Sequence, residues 1–329
     1  MAVVYVDPEH PDPAMITRAA ELLRAGRLVV FPTETVYGLG ANALDPAAVA
    51  LIFAAKGRPA YNPLIVHLAE STQVSVVAAG WNDNAERLAR VFWPGPLTLV
   101  LPKTDAVPET VTAGLSTVAV RVPRHPVAHA LLSAAGIPVA APSANRSTQL
   151  SPTTGEHVVR SLGDAADLIL DAGPTPVGIE STVVDVTTPV PTLLRPGSIT
   201  LDDLARVVGR IDRHGPAVKG ESARPAPGML DKHYAPRAKV VLVAPVDVGV
   251  RVEHERANGL RVGALVVHAS VEPTPEIITM PADPVGYAAA LYASLHALDD
   301  AACDVIVVER LPETNAWLAV RDRLTRAAY

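Results

Sequence analysis

Lys56, Arg58, Asn62 and His67 all fall within KGRPAYNPLIVH at 56–67, and about 75 residues later PSANRS supplies Ser143, Asn145 and Arg146. Lysine offers a compact point charge and arginine a planar fork of N–H donors. With hydroxyls and amides beside them, they suit an anion carrying several oxygens, a phosphate above all. Gly57 and Pro59 flank Arg58 and fix the backbone there. The same residue types also suit two solvated cations at a helix end, where the dipole favours positive charge. His67 alternates with apolar neighbours, as a core histidine bonded to backbone would. Arg121 lies in VAVRVP among apolar residues, and a buried arginine needs an anion, either a structural carboxylate or a ligand. Ser143 and Ser151 suit turns, and Thr33 and Thr35 suit a loop whose hydroxyls bond local backbone. Tyr234 suits an aromatic anchor that packs a linker onto its neighbour. The chain has no GxxxxGK[ST] phosphate loop, no HExxH and no GxSxG elbow.

These groups act together only if a scaffold brings them to neighbouring strand ends, where α/β sheets bind ligands. Residues 28–31 read as a strand entering the polar loop PTETVYGLG. Further apolar runs predict strands at 64–68, 97–101, 118–122, 137–141, 168–171 and 181–186. Helical spacing predicts 15–25 with Pro13 ahead and Gly26 behind, 46–55 capped by Asp45, then 84–91, 126–135 and 155–162. Short strands alternate irregularly with helices, which predicts a mixed α/β sheet rather than a strict βαβ repeat. Residues 213–236 carry many Pro, Gly and charged residues and no apolar period, so 214–238 reads as a linker or long functional loop. Strands at 240–244, 262–267, 276–280 and 304–309, with helices at 284–298 and 315–328, predict a small parallel Rossmann-like unit. That unit has no GxGxxG turn, which argues against a dinucleotide. The expected division is a catalytic domain 1–213, a linker or lid 214–238 and a C-terminal domain 239–329.

Lys-x-Arg and Ser-x-Asn are accompanied by FPTETVYGLG at 31–40, WPGPLTLVL at 93–101, VAVRVPRH at 118–125, GIEST at 178–182 and LRPG at 194–197. In this order the motifs resemble the YrdC-type threonylcarbamoyl-AMP synthases. PGMLDKHYAP at 227–236, with about 90 residues beyond it, resembles their long two-domain form. The resemblance runs over essentially the whole chain. It implies a YrdC-like twisted mixed sheet with flanking helices, plus the Rossmann-like domain. The implied substrates are L-threonine, bicarbonate or CO2, and ATP with Mg2+; flavin, NAD and zinc are not implied. The implied products are threonylcarbamoyl-AMP and pyrophosphate, for modification of the adenosine next to the anticodon in tRNA. Residue by residue, it implies ATP contacts at Arg58, Asn62, Thr117, Ser143, Ser151, Arg195 and Tyr234. Threonine contacts are implied at Thr35, His67, Arg121, Ala141 and Ser181. Lys56 and Arg58 would carry the catalysis, and Asn145 completes the signature. Glu180 is a weak candidate for a metal-side carboxylate. Weak tRNA contact and docking of the enzymes that pass the product on are further implied partners.

Composition bounds these readings. With 49% hydrophobic and 19% charged residues over 329 positions, the chain can build packed cores for two domains and is not disordered. No apolar run reaches the roughly 18 residues of a membrane span, so no membrane partner is expected. MAVVYVDPEHPDP lacks the pattern of a signal peptide, and Cys303 is the only cysteine. An intrachain disulfide and a multi-cysteine zinc site are both excluded, and a cytoplasmic location is expected. The single cysteine also sets the chain apart from hydrogenase-maturation proteins, which share a related fold and carry zinc-finger cysteine pairs. Net charge is −6, of which residues 239–329 supply −4 from 8 basic and 12 acidic side chains. The totals give no basic face, although Lys56, Arg58, Arg121, Arg124, Arg146 and Arg195 could converge in a cleft. Such a cleft leaves open a different class of function, a non-catalytic RNA-binding module. Only 4% aromatic residues weigh against a base-stacking platform.

Overall fold

Capping chemistry sets the main helix starts. Asp12, Asp45 and His125 each precede a proline at the start of a helix and accept the backbone N–H of Ala14, Ala47 and Val127. The computed structural model describes residues 2–214, 234–269 and 271–328. Its first part carries α1 (Pro13–Arg24), α2 (Pro46–Lys56), the one-turn α3 (Val74–Val77), α4 (Asp83–Phe92), the one-turn α5 (Glu109–Thr112), α6 (Pro126–Ala135), α7 (Gly155–Leu162) and α8 (Leu201–Val208). Its strands are β1 (Ala2–Tyr5), β2 (Val29–Phe31), β3 (Gly38–Asn42), β4 (Ile65–His67), β5 (Leu97–Pro102), β6 (Thr117–Arg121), β7 (Val139–Ala140), β8 (Leu168–Asp171), β9 (Thr182–Asp185), β10 (Thr192–Arg195) and β11 (Asp212–Arg213).

These strands form one sheet in the order β1-β8-β2-β3-β7-β4-β6-β5-β9-β10-β11. Parallel pairs such as β4/β6 and β5/β9 mix with antiparallel pairs such as β5/β6 and β4/β7, as the irregular alternation predicts. Both faces are covered. Leu39, Val66, Leu99 and Val120 belong to one core, which also holds Ile52 of α2 and Leu88 of α4. Val29, Phe31, Val139 and Leu168 belong to another, with Leu23 of α1 and Leu131 of α6. Strands buried on both faces read as continuous apolar runs, which is why most were legible.

One expectation needs correction. Residues 38–40 of the supposed polar loop are the start of β3, which pairs antiparallel with β2 and with β7. A Cβ on Gly40 would stand 2.8 Å from the Phe31 ring and 3.0 Å from Val139. Glycine is therefore required here by close packing inside a strand, not by a turn.

The second part carries β12 (Lys239–Val243), β13 (Val262–Val266), β14 (Ile277–Thr279) and β15 (Val305–Glu309), with α9 (Val248–Ala257), α10 (Pro284–Asp300) and α11 (Leu318–Ala327). The order is β12-β15-β13-β14 and every ladder is parallel, as expected for a Rossmann-like sheet. At the carboxyl edge, where such sheets bind ligands, the chain supplies its own anion. The buried Glu309 carboxylate accepts the backbone N–H groups of Val267, His268 and Ala269 at 2.8, 2.9 and 3.0 Å. Burial alone would raise its pKa; the three N–H donors outweigh burial and hold it below the usual range.

The two sheets are joined by a shared core. Val36, Leu150 and Ile179 from the first part pack with Tyr234, Leu291 and Val320. Gly178, at φ +76°, lies so close to α10 that a Cβ would meet the Ala288 carbonyl oxygen at 2.5 Å. The His157 ring of α7 stacks on His296 of α10 at 3.8 Å, and Arg160 pairs with Asp300. The proposed lid lies largely outside the described residues, since 215–233 are not among them. Its end is seated: Tyr234 is buried, and Ala235 pairs with Gln149.

Candidate active site

The ends of β2, β4, β6, β7 and β10 and the turn before β9 surround a pocket. Its wall includes Thr35, Arg58, His67, Arg121, Ala141, Ser143, Ser181, Arg195 and Tyr234, nine residues singled out in the sequence. Two kinds of wall meet in it.

On one side Arg121 is held by local partners. Its Nη2 lies 2.7 Å from Glu34 Oε1, its Nη1 donates to Thr35 Oγ1 at 2.9 Å and its Nε to the Gly95 carbonyl at 3.3 Å. The structural carboxylate that a buried arginine requires is thus Glu34, from the motif loop itself. Burial would raise the Glu34 pKa, but Arg121 overrides it and keeps the carboxylate ionised. Thr33 Oγ1 donates to the Val36 carbonyl, so Thr35 must donate in the 2.8 Å bond between the two hydroxyls. Thr35 Oγ1 therefore presents acceptor capacity only.

His67 borders this side. It is buried, and burial, reinforced by Arg121, pulls its pKa from 6.5 to about 3, so the ring is neutral at physiological pH. The unfolded chain takes up a proton near pH 6.5 that the folded chain refuses until about pH 3. Stability is therefore complete above pH 6.5 and falls with acidification across that window, by at most about 1.4 kcal/mol per pH unit from this group. His157, pulled to about 3 by burial and then His296, acts in the same direction. Thermal melts from pH 7.5 to 4.5 should show a falling midpoint, with a shallower slope in His67→Asn. An unchanged slope in that variant would rule out the buried neutral ring.

The opposite wall is cationic. Arg58 Nε and Nη2 donate to the Asn62 and Pro63 carbonyls at 3.0 and 2.7 Å, bending the loop around the guanidinium. Arg195 donates from Nε to the Ser181 carbonyl at 3.1 Å and from Nη2 to Ser181 Oγ at 3.0 Å, and Ser181 Oγ also bonds Thr98. Burial lowers the pKa of both guanidinium groups, which nonetheless remain charged. Lys56 stands behind them. Its Nζ reaches the Ser143 carbonyl at 2.5 Å and the Asn145 carbonyl, tying Lys-x-Arg to Ser-x-Asn. Burial, and then Arg58, pulls its pKa well below the lysine value.

Several expected residues lie outside the pocket wall: Lys56, Asn62, Asn145, Ser151 and Thr117. Asn145 Nδ2 closes its own loop through the Arg146 and Gln149 carbonyls. Ser151 donates to Glu180. Thr117 is at the far end of β6 from Arg121, about 13 Å along the strand. Asn62 Oδ1 and Nδ2, His67 Nδ1 and Asn145 Oδ1 are among the buried side-chain atoms of the described residues that have no hydrogen-bond partner. A native chain seldom leaves such groups unmatched, and these four lie within the two cation-bearing motifs. Of the six cations expected to converge, Lys56, Arg58, Arg121 and Arg195 are buried together, whereas Arg124 and Arg146 are exposed. Buried cations suit a small anion better than an RNA backbone.

Three functional neighbours escaped the sequence reading. Glu34 was hidden inside its own motif. Tyr292 and Arg323 come from α10 and α11. Their hydroxyl and Nε reach Glu180 Oε2 at 3.1 and 2.7 Å. One signal for Arg323 was available: it interrupts the buried stripe Ala319, Val320, Leu324, Ala327 of α11. With Ser151, Tyr292 and Arg323 on its oxygens, Glu180 is engaged by protein donors, and no cluster of metal-binding side chains occurs among the described residues.

Residues 21–197 match the family model described as telomere recombination, named for Sua5, YciO and YrdC, and residues 199–329 match the C-terminal domain of threonylcarbamoyl-AMP synthase. The chain is 44% identical to the threonylcarbamoyl-AMP synthase of Pyrococcus abyssi, covering 100% of this chain and 98% of that protein. It is 43% identical to that of Bacillus subtilis, covering 95% and 92%. The crystal structure of P. abyssi Sua5 complexed with L-threonine superposes with a TM-score of 0.94 at 42% identity, over 100% of this chain and 98% of that one.

Proposed function

The chain belongs to the Sua5, YciO and YrdC family as a threonylcarbamoyl-AMP synthase homologue of the two-domain form, and on that premise we propose that it joins L-threonine, bicarbonate or CO2 and ATP into threonylcarbamoyl-AMP and pyrophosphate. The observation that carries the proposal is the pairing of two unlike walls in one buried pocket. A neutral histidine, an acceptor-only hydroxyl and a carboxylate-paired arginine face a wall of buried cations.

L-Threonine, which the P. abyssi relative binds in its crystal structure, occupies the first wall. Arg121 has five N–H groups, and three are engaged locally. One on each terminal nitrogen remains for the substrate carboxylate. Thr35 and neutral His67 can each accept from the amine, while Ser181 and Ala141 close the pocket and Ile65 gives the γ-methyl an apolar contact. That contact separates threonine from serine by only about 1–3 kcal/mol. ATP occupies the second wall. Arg58 and Arg195 face the phosphates, and Ser143 and Tyr234 complete the lining. Asn62 and Ser151 support Arg58 and Glu180, and Thr117 contributes at most from the far end of its strand.

In the reaction the threonine amine captures CO2 to form a carbamate. A carbamate oxygen attacks the α-phosphorus of ATP, the bond to the β-phosphate bridging oxygen breaks, and pyrophosphate leaves. No protein nucleophile is needed. The chain contributes orientation of two anions and neutralisation of the charge that develops between them. Magnesium would accompany ATP and offset phosphate charge, and no step is assigned to it. The product is an activated acyl donor for tRNA modification by further enzymes.

Pyrophosphate release should require L-threonine and bicarbonate together with ATP and Mg2+. Release that persists unchanged without threonine, or no release while ATP still binds, would overturn this reading.

A further inference from the structure

We propose that Arg323, on α11 of the second domain, is a positioning residue for the ATP side of the pocket. The proposal rests on the substrate assignment above. Arg323 is only 1% exposed and sits 143 residues from its partner Glu180, which it holds through Nε at 2.7 Å. Its guanidinium carbon stands 4.9 Å from the centre of the Tyr234 ring, stacking distance for a cation on an aromatic face. Nη1 is fixed by Asp322 at 2.7 Å, and Nη2 is buried without a partner among the described residues. One side chain from the second domain therefore orients two groups of the pocket wall, Glu180 and Tyr234.

The effect travels through a short covalent and hydrogen-bonded path. Glu180 accepts from Ser151 and Tyr292, and it directly precedes Ser181, whose hydroxyl and carbonyl both accept from Arg195. A displaced Glu180 moves Ser181 and hence the Arg195 fork. On the threonine side the carboxylate-binding Arg121 is held separately, by Glu34 and Thr35, and Ser181 is shared by the two sides. Arg323 touches none of Glu34, Arg121 and Thr35, so loss of Arg323 should weaken ATP far more than threonine.

Removing Arg323 alone also strands the buried Glu180 charge, a plain stability defect. The test therefore uses the full-length chain as Arg323→Met and as the double variant Glu180→Gln with Arg323→Met, which removes both charges of that pair. ATP with Mg2+ and L-threonine are titrated separately by calorimetry, and the melting midpoint is recorded. The expected result is a tenfold or greater rise in the ATP Kd in both variants, with the threonine Kd within twofold of wild type. The midpoint recovers in the double variant, but ATP affinity does not. Equal weakening of both ligands, or recovery of ATP affinity along with stability, would show that Arg323 only balances charge. If the wild-type chain binds no ATP, the substrate assignment fails instead, and the two failures are told apart.

Discussion

Arg58→Ala should lower threonine-dependent pyrophosphate release by about a hundredfold or more, equivalent to roughly 3 kcal/mol of barrier. The argument is geometric as well as electrostatic. Arg58 is buried at the pocket wall, and its Nε and Nη2 bonds go to carbonyls of its own loop, which aims the rest of the fork at the pocket. A triphosphate gains most from such a donor when charge builds on the transferring group, in a site that water does not screen. Arg58→Lys separates two contributions. It retains a cation but neither the planar fork nor both carbonyl bonds, so it should recover less than half of the lost barrier energy. Steady-state turnover at saturating substrates reads the result. Wild-type turnover in Arg58→Ala would remove Arg58 from the chemistry.

Arg121→Met should destabilise the fold by about 3–5 kcal/mol, because it leaves the Glu34 carboxylate buried at 3% exposure with no cation beside it. Glu34 would retain backbone donors such as the Arg124 N–H at 3.1 Å but no guanidinium. Its pKa should then rise, reversing the lowering that Arg121 imposes, and the variant should be most impaired at neutral pH and recover partly in mild acid. Denaturant unfolding at pH 7 and pH 5 measures both effects. A loss under 1 kcal/mol at pH 7 would mean that the pair is not the anchor of this wall. Threonine binding should be lost at either pH, because the substrate carboxylate needs the guanidinium itself.

Much of this site was legible because its motifs are local. Lys56 and Arg58 flank one glycine, Ser143 and Asn145 one alanine, and each pair ends a helix or strand whose apolar pattern is plain. Helices such as Pro126–Ala135 and Gly155–Leu162 were legible to the residue. What failed was of another kind. Gly38–Asn42 does not read as a strand, since two glycines remove the side chains that signal one, and the packing that demands them comes from Phe31 and Val139. Ala2–Tyr5 is an edge strand of four residues, and Thr192–Arg195 follows a proline-rich turn, so neither has the length for a period to show. Leu201–Val208 begins with a capping box at Thr200 and Asp203, a signal present in the sequence but not read. The ion pairs were beyond reach for a further reason. Arg121 announced the need for an anion without naming Glu34, and nothing near Glu180 points to residues 292 and 323.

In the second sheet, the strand that joins β12 to β13 is β15, the last of the four along the chain. A nascent chain that has released residues 239–279 therefore holds two pieces of a sheet with no middle. Their union waits for residues 305–309 and for closure of a loop reaching back to residue 243, a slow non-local event. Tyr292 and Arg323 flank that final strand, so the two groups that join Ser151 in holding Glu180 come into place with it. The first sheet can assemble earlier, as leading domains generally do during synthesis, but with one side of its pocket unfinished. A ligand that needs both sides of the pocket is thus held by the finished molecule and not by the half-made chain.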